Sequence, residues 1–332
     1  MTRKSTNRNT YQSGLGLVEL MVALVLGLLV VGAAIGVFMS NRQTYTATES
    51  LGRVQENARV AFELMARDLR EAGGNPCSSR LPIANVLENP TSTWFTNFGD
   101  GIRGVEGAFA LEEPGNRVAG TDAVELMSGE GRGVTVASHN PTAAAFHLNT
   151  PDHDLVVDEV LLVCDNRQAT IFQMTGPSAT NATVVHNTGT GTVGNCTKAL
   201  GVPVKCACTG SPTNLCNNYE YGENSQMVRL KAVRWFIGEN PAGGNSLYRS
   251  VLRRGVMGPP EEITDGVEDM QISYLLPGAA TYVAAGAVGT RWGEVLAARI
   301  ELELEGEDRV GLNGEVIGRQ LVHIATLRNR NA

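Results

Sequence analysis

One carboxylate stands inside an apolar run long enough to cross a bilayer. In "SGLGLVELMVALVLGLLVVGAAIGVFMS", Ser13 to Ser40, Glu19 is the single charged side chain. A charge at mid-membrane costs on the order of 3 kcal/mol on insertion scales, less near an end, and such residues mark a function or a partner. A second set that could do chemistry is the six cysteines, Cys77, Cys164, Cys196, Cys206, Cys208 and Cys216, all of which follow the apolar run. Thiols at such spacing serve as disulfides or as metal ligands, depending on the redox compartment.

Catalytic patterns are weak by comparison. "GTGTVG", Gly189 to Gly194, matches G-x-G-x-x-G, but Asn195-Cys196 follows instead of an apolar helix, so a phosphate would meet no helix N-terminus; the stretch reads as a flexible turn. "DHD", Asp152 to Asp154, precedes a strand-like run and reads as a solvated turn. His139, His147, His186 and His323 lack helical metal spacing, and there is no G-x-S-x-G. The sequence therefore predicts no enzyme, no cofactor and no metal. The formal net charge is −7, and no run of Lys or Arg interleaves with aromatics, which disfavours a nucleic-acid groove; Arg253-Arg254 reads as a solvated strand end.

The elements that must position these groups begin with Leu15 to Met39, about 37 Å of helix against a bilayer core of roughly 30 Å. No secretory cleavage site is visible after it. The preceding "MTRKSTNRNTYQSG" carries Arg3, Lys4 and Arg8, and basic flanks hold their side in the cytoplasm, so the chain after Met39 is expected outside. Next, Leu51, Val54, Ala58, Ala61, Met65, Leu69 and Ala72 recur at steps of three or four, an amphipathic helix that Gly73-Gly74 ends. If the intervening "SNRQTYTATES" is helical, Leu15 to Ala72 makes one rod of roughly 87 Å, although its Thr and Ser content suits a kink or a frayed turn at this join.

These residues resemble a known pattern. Gly14, then Leu15, with a glutamate fifth in the apolar run, is similar to the processing site of type IV prepilins, although Leu replaces the commoner Phe at the first mature position. The resemblance implies that a prepilin peptidase cuts after Gly14, that Leu15 becomes a methylated N-terminus, and that Glu19 is the assembly carboxylate. Such a cut would create an amine in the same apolar layer, where staggered neighbouring helices could let the two charges neutralise each other. The rival reading is a carboxylate snorkelling at the interface of a simple anchor. Loss of the leader's three positive charges would change the net charge from −7 to −10.

Further stretches narrow the resemblance to the PilW-type minor pilins. They are "QENARVAFELMARDLREAGG" followed by Cys77, "DEVLLVCDNRQATIFQMTG", "GVEDMQISYLL", "WGEVLAARIELELE" and the ending "RQLVHIATLRNR". The family implies a leader over 1–14, a transmembrane helix over 15–39, an amphipathic extension over 40–74 and a periplasmic β-rich domain over 75–332. It implies a single-pass protein of the bacterial inner membrane that passes to the pilus tip or fibre. Its partners would be the prepilin peptidase, other minor pilins, the major pilin and the inner-membrane assembly platform, with a large tip adhesin as a further candidate. The function implied is priming and tip assembly of type IV pili, supporting motility and attachment. A type II secretion pseudopilin and a stand-alone membrane-anchored binding protein or adhesin are the alternatives.

The fold expected after the anchor is α+β, with the helix stripe covering one face of an antiparallel sheet and the other face in water. "ARIELELEGE" shows it plainly: Ile300, Leu302 and Leu304 face one way and Arg299, Glu301, Glu303 and Glu305 the other. Similar runs lie near Asp122 to Ser128, Gly133 to Ser138, Leu155 to Val163, Thr170 to Met174, Val228 to Ile237, Leu247 to Leu252, Met270 to Leu275 and Leu321 to Thr326. In an oxidising periplasm the six cysteines favour disulfides. The four in "NCTKALGVPVKCACTGSPTNLCNN" would staple a segment too polar and glycine-rich to hold itself by packing, because a zinc site would want C-x2-C spacing. Cys77 and Cys164 are then left to pair with each other, one of several arrangements the sequence permits.

Overall fold

The computed structural model describes residues 16–78, 80–88, 93–96, 98, 100–177, 181–189, 191–204, 217–306, 309 and 315–330. The chain divides into two units, one running up to Gly52 and the other formed by Arg53–Glu307 with Gly318–Ala332.

One helix, α1, covers Leu17–Glu71. At "SNRQTYTATES", where the sequence left a continuous helix and a kink or frayed turn both open, α1 is helical throughout, and Thr44, Thr46 and Thr48 each donate their hydroxyl to the carbonyl four residues back, at 2.8–3.0 Å. Threonine tolerates a helix in this way, by returning its hydroxyl to the backbone of the preceding turn. The helix stops where the sequence reading places it. Gly73 takes φ +70°, and its N–H donates to the Met127 carbonyl at 2.8 Å instead of continuing the spiral.

The larger sheet contains β1 (Ile83–Asn85), β2 (Ile102–Val105), β3 (Ala123–Asn140), β4 (Ala145–Leu148), β5 (Val160–Cys164), β6 (Ala169–Gln173), β7 (Thr183–Val185), β8 (Gln226–Glu239), β9 (Asn245–Arg253), β10 (Val256–Met257) and β11 (Glu261–Asp265). Its main path is β1-β6-β5-β8-β3-β4-β7, with β2 on β3 and β9 on β8. β1 pairs with β6 in parallel, and the other pairings are antiparallel, so the sheet is mixed. The smaller sheet runs β13-β12-β14-β15, with β12 (Val267–Leu275), β13 (Val283–Ala284), β14 (Ala297–Glu305) and β15 (Gly318–Thr326). A single helical turn, α2 (Ala285–Val288), follows β13.

Two sequence expectations need correction. The runs near 122–128 and 133–138 are one strand, β3, with its register broken between Glu130 and Val134. Two of the glycines between those runs answer a packing demand: a Cβ on Gly129 or Gly131 would stand 2.8 or 2.7 Å from the Val228 side chain. The second correction concerns the wet face. It holds for β14, where Ile300, Leu302 and Leu304 are buried and Glu303 is exposed, but the centre of the larger sheet is covered on both sides. Along β8, Val233, Trp235 and Ile237 join the core that also holds the α1 stripe, while Val228, Leu230 and Ala232 enter a second core with Leu162 and Ile171.

The first of these cores fixes the amphipathic half of α1. Val54, Ala58, Ala61, Met65, Leu69 and Ala72 are buried, together with Ala66, against β8, β9, β12 and β14, whereas Leu51 is half-buried. Within this interface lies Asp68, on the helix but buried. Its carboxylate accepts from Trp235 Nε1 at 3.0 Å and from Arg249 Nε at 3.0 Å, and pairs with Lys231 Nζ at 2.9 Å. Lys231 also meets Glu71 Oε2 at 2.7 Å. Burial works against the Lys231 ammonium, but hydrogen bonds to Glu71 and Asp68 outweigh it and raise its pKa. Two acids of the helix thus balance two bases of the sheet, which makes a buried charge cluster tolerable.

Cys77, just after the helix, is joined to Cys164 on β5, closing a segment with a sequence separation of 87. In the chain-entropy picture a crosslink over that length removes about 4–5 kcal/mol of unfolded-state freedom. Cys196 is disulfide-bonded as well, while Cys206, Cys208 and Cys216 lie outside the described residues.

Two histidines that sequence spacing kept apart meet in a third core. His139 on β3 and His186 face each other, Nε2 to Nε2, at 3.2 Å, packed on Phe146. The Tyr221 N–H donates into His139 Nδ1, so a neutral His139 carries its proton on Nε2 and donates it to His186. Burial pushes the imidazole pKa down to about 4 at His139 and, with His139 adding to it, to about 3 at His186.

Two outcomes follow from these contacts. Asp68→Ala leaves the Trp235 N–H without its acceptor in the core, removes the Arg249 pairing and leaves Lys231 to Glu71 alone, and should cost about 3 kcal/mol in unfolding of the full chain in detergent; Glu63→Ala, on the exposed face of the same helix, should cost under about 1 kcal/mol. For the histidines, the unfolded chain takes up protons below pH 6.5 that the folded chain refuses until about pH 4 or lower. Stability is therefore complete above pH 6.5 and falls as pH drops, by about 2 kcal/mol per histidine between pH 6.5 and 5. Denaturation curves at pH 7 and pH 5 should show the drop, and His186→Gln should remove about half of it; superimposable wild-type curves would contradict the burial of the pair as neutral imidazoles.

Candidate functional site

The helix that carries Glu19 is apolar all the way round before Met39. Leu17, Val18, Leu28, Val30 and Phe38 are all more than 60% exposed, and none of the most apolar window of α1 is buried inside the described protein. A globular protein places such a helix in its core; one left uncovered needs lipid or other helices around it. The helix is long and apolar enough to cross a membrane.

Glu19 lies in the first turn of α1, and its side chain is exposed. Its place there has an electrostatic reason, because the unpaired N–H groups at a helix start favour a negative charge. Gly14 and Leu15, which the sequence reading puts beside it, lie outside the described residues. Farther along, Gly32 and Gly36 fall one turn apart on the same face, and no atom comes within 4 Å of where a Cβ would stand on either. That small-x-x-x-small spacing lets a neighbouring helix approach closely in lipid, a signal readable in "GAAIG" that the sequence analysis passed over.

The other residues singled out from sequence do not gather into a reactive centre. His153 of "DHD" is not in a solvated turn: it is buried, with Nε2 2.8 Å from the Asn181 carbonyl, and Asp154 lies 3.7 Å from Arg229. The "GTGTVG" stretch is pinned, since Gln173 Oε1 accepts from the N–H groups of Val193 and Gly194 at 3.1 and 2.7 Å. His323 stacks on Phe62, and Arg253 and Arg254 are exposed. Among the described residues no three of His, Cys, Asp and Glu converge as metal ligands would.

Comparison with known proteins finds likeness in two segments. Residues 9–35 match the prokaryotic N-terminal methylation motif, a span containing Gly14, Leu15 and Glu19. Residues 234–316 match the family described as type IV pilus-assembly protein W. That second match begins within β8 and ends past β14, so it takes in "GVEDMQISYLL" and "WGEVLAARIELELE". A comparison with curated proteins finds no match. Among solved structures, a type IV-like pilin from Thermus thermophilus aligns over 84% of this chain and 97% of its own, at 10% identity and a TM-score of 0.33. Two separate segments thus carry a likeness to type IV pilin-like proteins, the first at the methylation motif and the second to the pilus-assembly protein W family.

Proposed function

We propose that this protein is a minor pilin that waits in the bacterial inner membrane and, with other minor pilins, primes assembly of a type IV pilus and remains at its tip. The observation that carries the reading is the uncovered apolar half of α1 with one carboxylate in its first turn. In the membrane the helix is covered by lipid, and in a pilus by the helices of other subunits. Glu19 has a use only in the second setting. After cleavage behind Gly14, the amine of Leu15 on an adjacent, staggered subunit comes to the Glu19 carboxylate, and each removes the other's cost of burial. Methylation keeps that amine cationic. The face of Gly32 and Gly36 supports the same setting, because it lets a second helix pack closely beside the first. The partners are then the prepilin peptidase, the other minor pilins, the major pilin and the assembly platform, with the β-rich domain in the periplasm.

The test is Glu19→Ala in cells lacking the wild-type protein. Removal of a charge should leave insertion, processing and domain folding intact. Co-purification with other minor pilins and surface piliation should each fall about tenfold or more, the equivalent of about 1.4 kcal/mol of lost pairing. Wild-type piliation by the cleaved Glu19→Ala protein would show that the carboxylate neutralises nothing in the assembly.

A further inference from the structure

We propose that β15 is a docking edge for an extended segment of another polypeptide, one that alternates apolar residues and carries a lysine or arginine near one end. This surface is separate from the Glu19 pairing and does not rest on it. It is the open side of the smaller sheet, whose strands run β13-β12-β14-β15. β15 spans nine residues and pairs with β14 along all of them, from Gly318 opposite Glu305 to Thr326 opposite Ala297. Among the described residues its backbone bonds to no other element.

Proteins shield sheet edges by keeping the edge strand short, by charging it or by breaking its register, because a row of unpaired N–H and C=O groups recruits another strand. The other edges here follow that rule. β1, β7, β10 and β13 have two or three residues each and β2 has four, while β11 starts with Glu261 and Glu262 and breaks register before Thr264. β15 has none of these devices. Its register is unbroken, and after Arg319 its one titratable side chain is His323, which stacks on Phe62, where burial and Arg70 lower its pKa and keep it neutral. On the outer face Val322 is 48% and Ile324 50% exposed, between exposed Gln320 and Thr326. Beyond α1, the one other large apolar side chain so open among the described residues is Val256.

The charges beside this edge select its occupant. On β14 the outer-face residues are Arg299, Glu301, Glu303 and Glu305, with Glu301 opposite Val322 and Glu303 opposite Gln320. Glu301 is engaged by Arg299 and by the Gln320 amide. Glu303 is exposed and makes no side-chain ion pair or hydrogen bond among the described residues. A strand added beside β15 lies two strand spacings from β14, about 10 Å, a gap that an outward lysine or arginine opposite Gln320 closes to reach Glu303. A second copy of β15 offers no such cation. Its outer-face residues are Gln320, Val322, Ile324 and Thr326, and pairing it would set two acidic β14 faces on one sheet. An acidic segment is repelled in the same way. The edge fits a partner strand with apolar residues opposite Val322 and Ile324 and a cation opposite Gln320.

The experiment uses the full chain in phosphatidylcholine nanodiscs, with empty discs as background. Its probes are fluorescent peptides as long as β15, in which threonine alternates with valine, isoleucine, leucine or phenylalanine. Each is made with a lysine at one end, with a glutamate there instead, and as the lysine form with its backbone nitrogens methylated. At least one lysine peptide should bind with a Kd of about 100 μM or below by fluorescence anisotropy, and hydrogen exchange should show new protection within β15. The glutamate form should bind several-fold more weakly, by a margin that shrinks at about 1 M salt. Backbone methylation should weaken binding about tenfold or more, and so should Val322→Lys, an exposed change outside the core. Failure of every lysine peptide to bind at about 1 mM would overturn the proposal. So would binding that methylation and Val322→Lys leave unchanged, or protection confined to residues outside β15. A dimer of the chain alone that Val322→Lys dissolves would overturn it too, by making the edge a contact between copies. Cleavage behind Gly14 enters none of these measurements, so their outcome is separate from that of Glu19→Ala.

Discussion

A buried carboxylate on the helix holds the rest together. Asp68 receives Trp235 and Arg249 and pairs with Lys231, on two adjacent strands of the larger sheet. Around it the stripe from Val54 to Ala72 fills a core that reaches both sheets. Apolar burial of this kind stabilises without direction, so by itself it would let the helix slide by a turn against the strands. A carboxylate that must meet three donors permits one register only. Charge pairs of this sort are a weak source of net stability but a strong penalty on alternatives, which is the use a subunit has for them when one end of its helix must answer to other molecules.

The side chains of the apolar end are not buried among the described residues. Its side chains are exposed and its glycines at 32 and 36 have open space about them. One helix therefore holds two different solutions to backbone satisfaction. Before Met39 its hydrogen bonds are internal and its side chains suit lipid; after Arg53 its polar face meets water and its apolar face the domain. The threonines between return their hydroxyls to the preceding turn, which keeps the helix hydrogen-bonded through a segment of poor propensity.

Local pattern made some of this legible and hid the rest. The helical stripe, its glycine stop, the strand alternation of "ARIELELE" and the isolated Glu19 are all visible within one element, because each depends on period or on a neighbour in sequence. Asp68 falls beside the buried stripe and reads as solvent-facing; its partners are 163 and 181 residues away for Lys231 and Arg249. The same blindness affects β8. Arg229, Lys231 and Arg234 suggest solvent-facing positions, yet each pairs with an acid from elsewhere in the chain, Glu159, Asp68 and Glu125. Gly129 and Gly131 separate two strand-like runs in the sequence, whereas in β3 their small size serves close approach to Val228. The histidine pair joins positions 47 apart across β3 and the segment after β7, which no spacing rule reaches.

The proposed pairing of Glu19 with the amine of a neighbouring Leu15 depends on cleavage at the start of the chain. Mass spectrometry of the intact chain from piliated cells measures this most directly. The account predicts a protein that begins at Leu15, has lost the 14 residues before it and carries one methyl group on its N-terminal nitrogen. A chain that retains Met1, or one cut at any other bond, would contradict it.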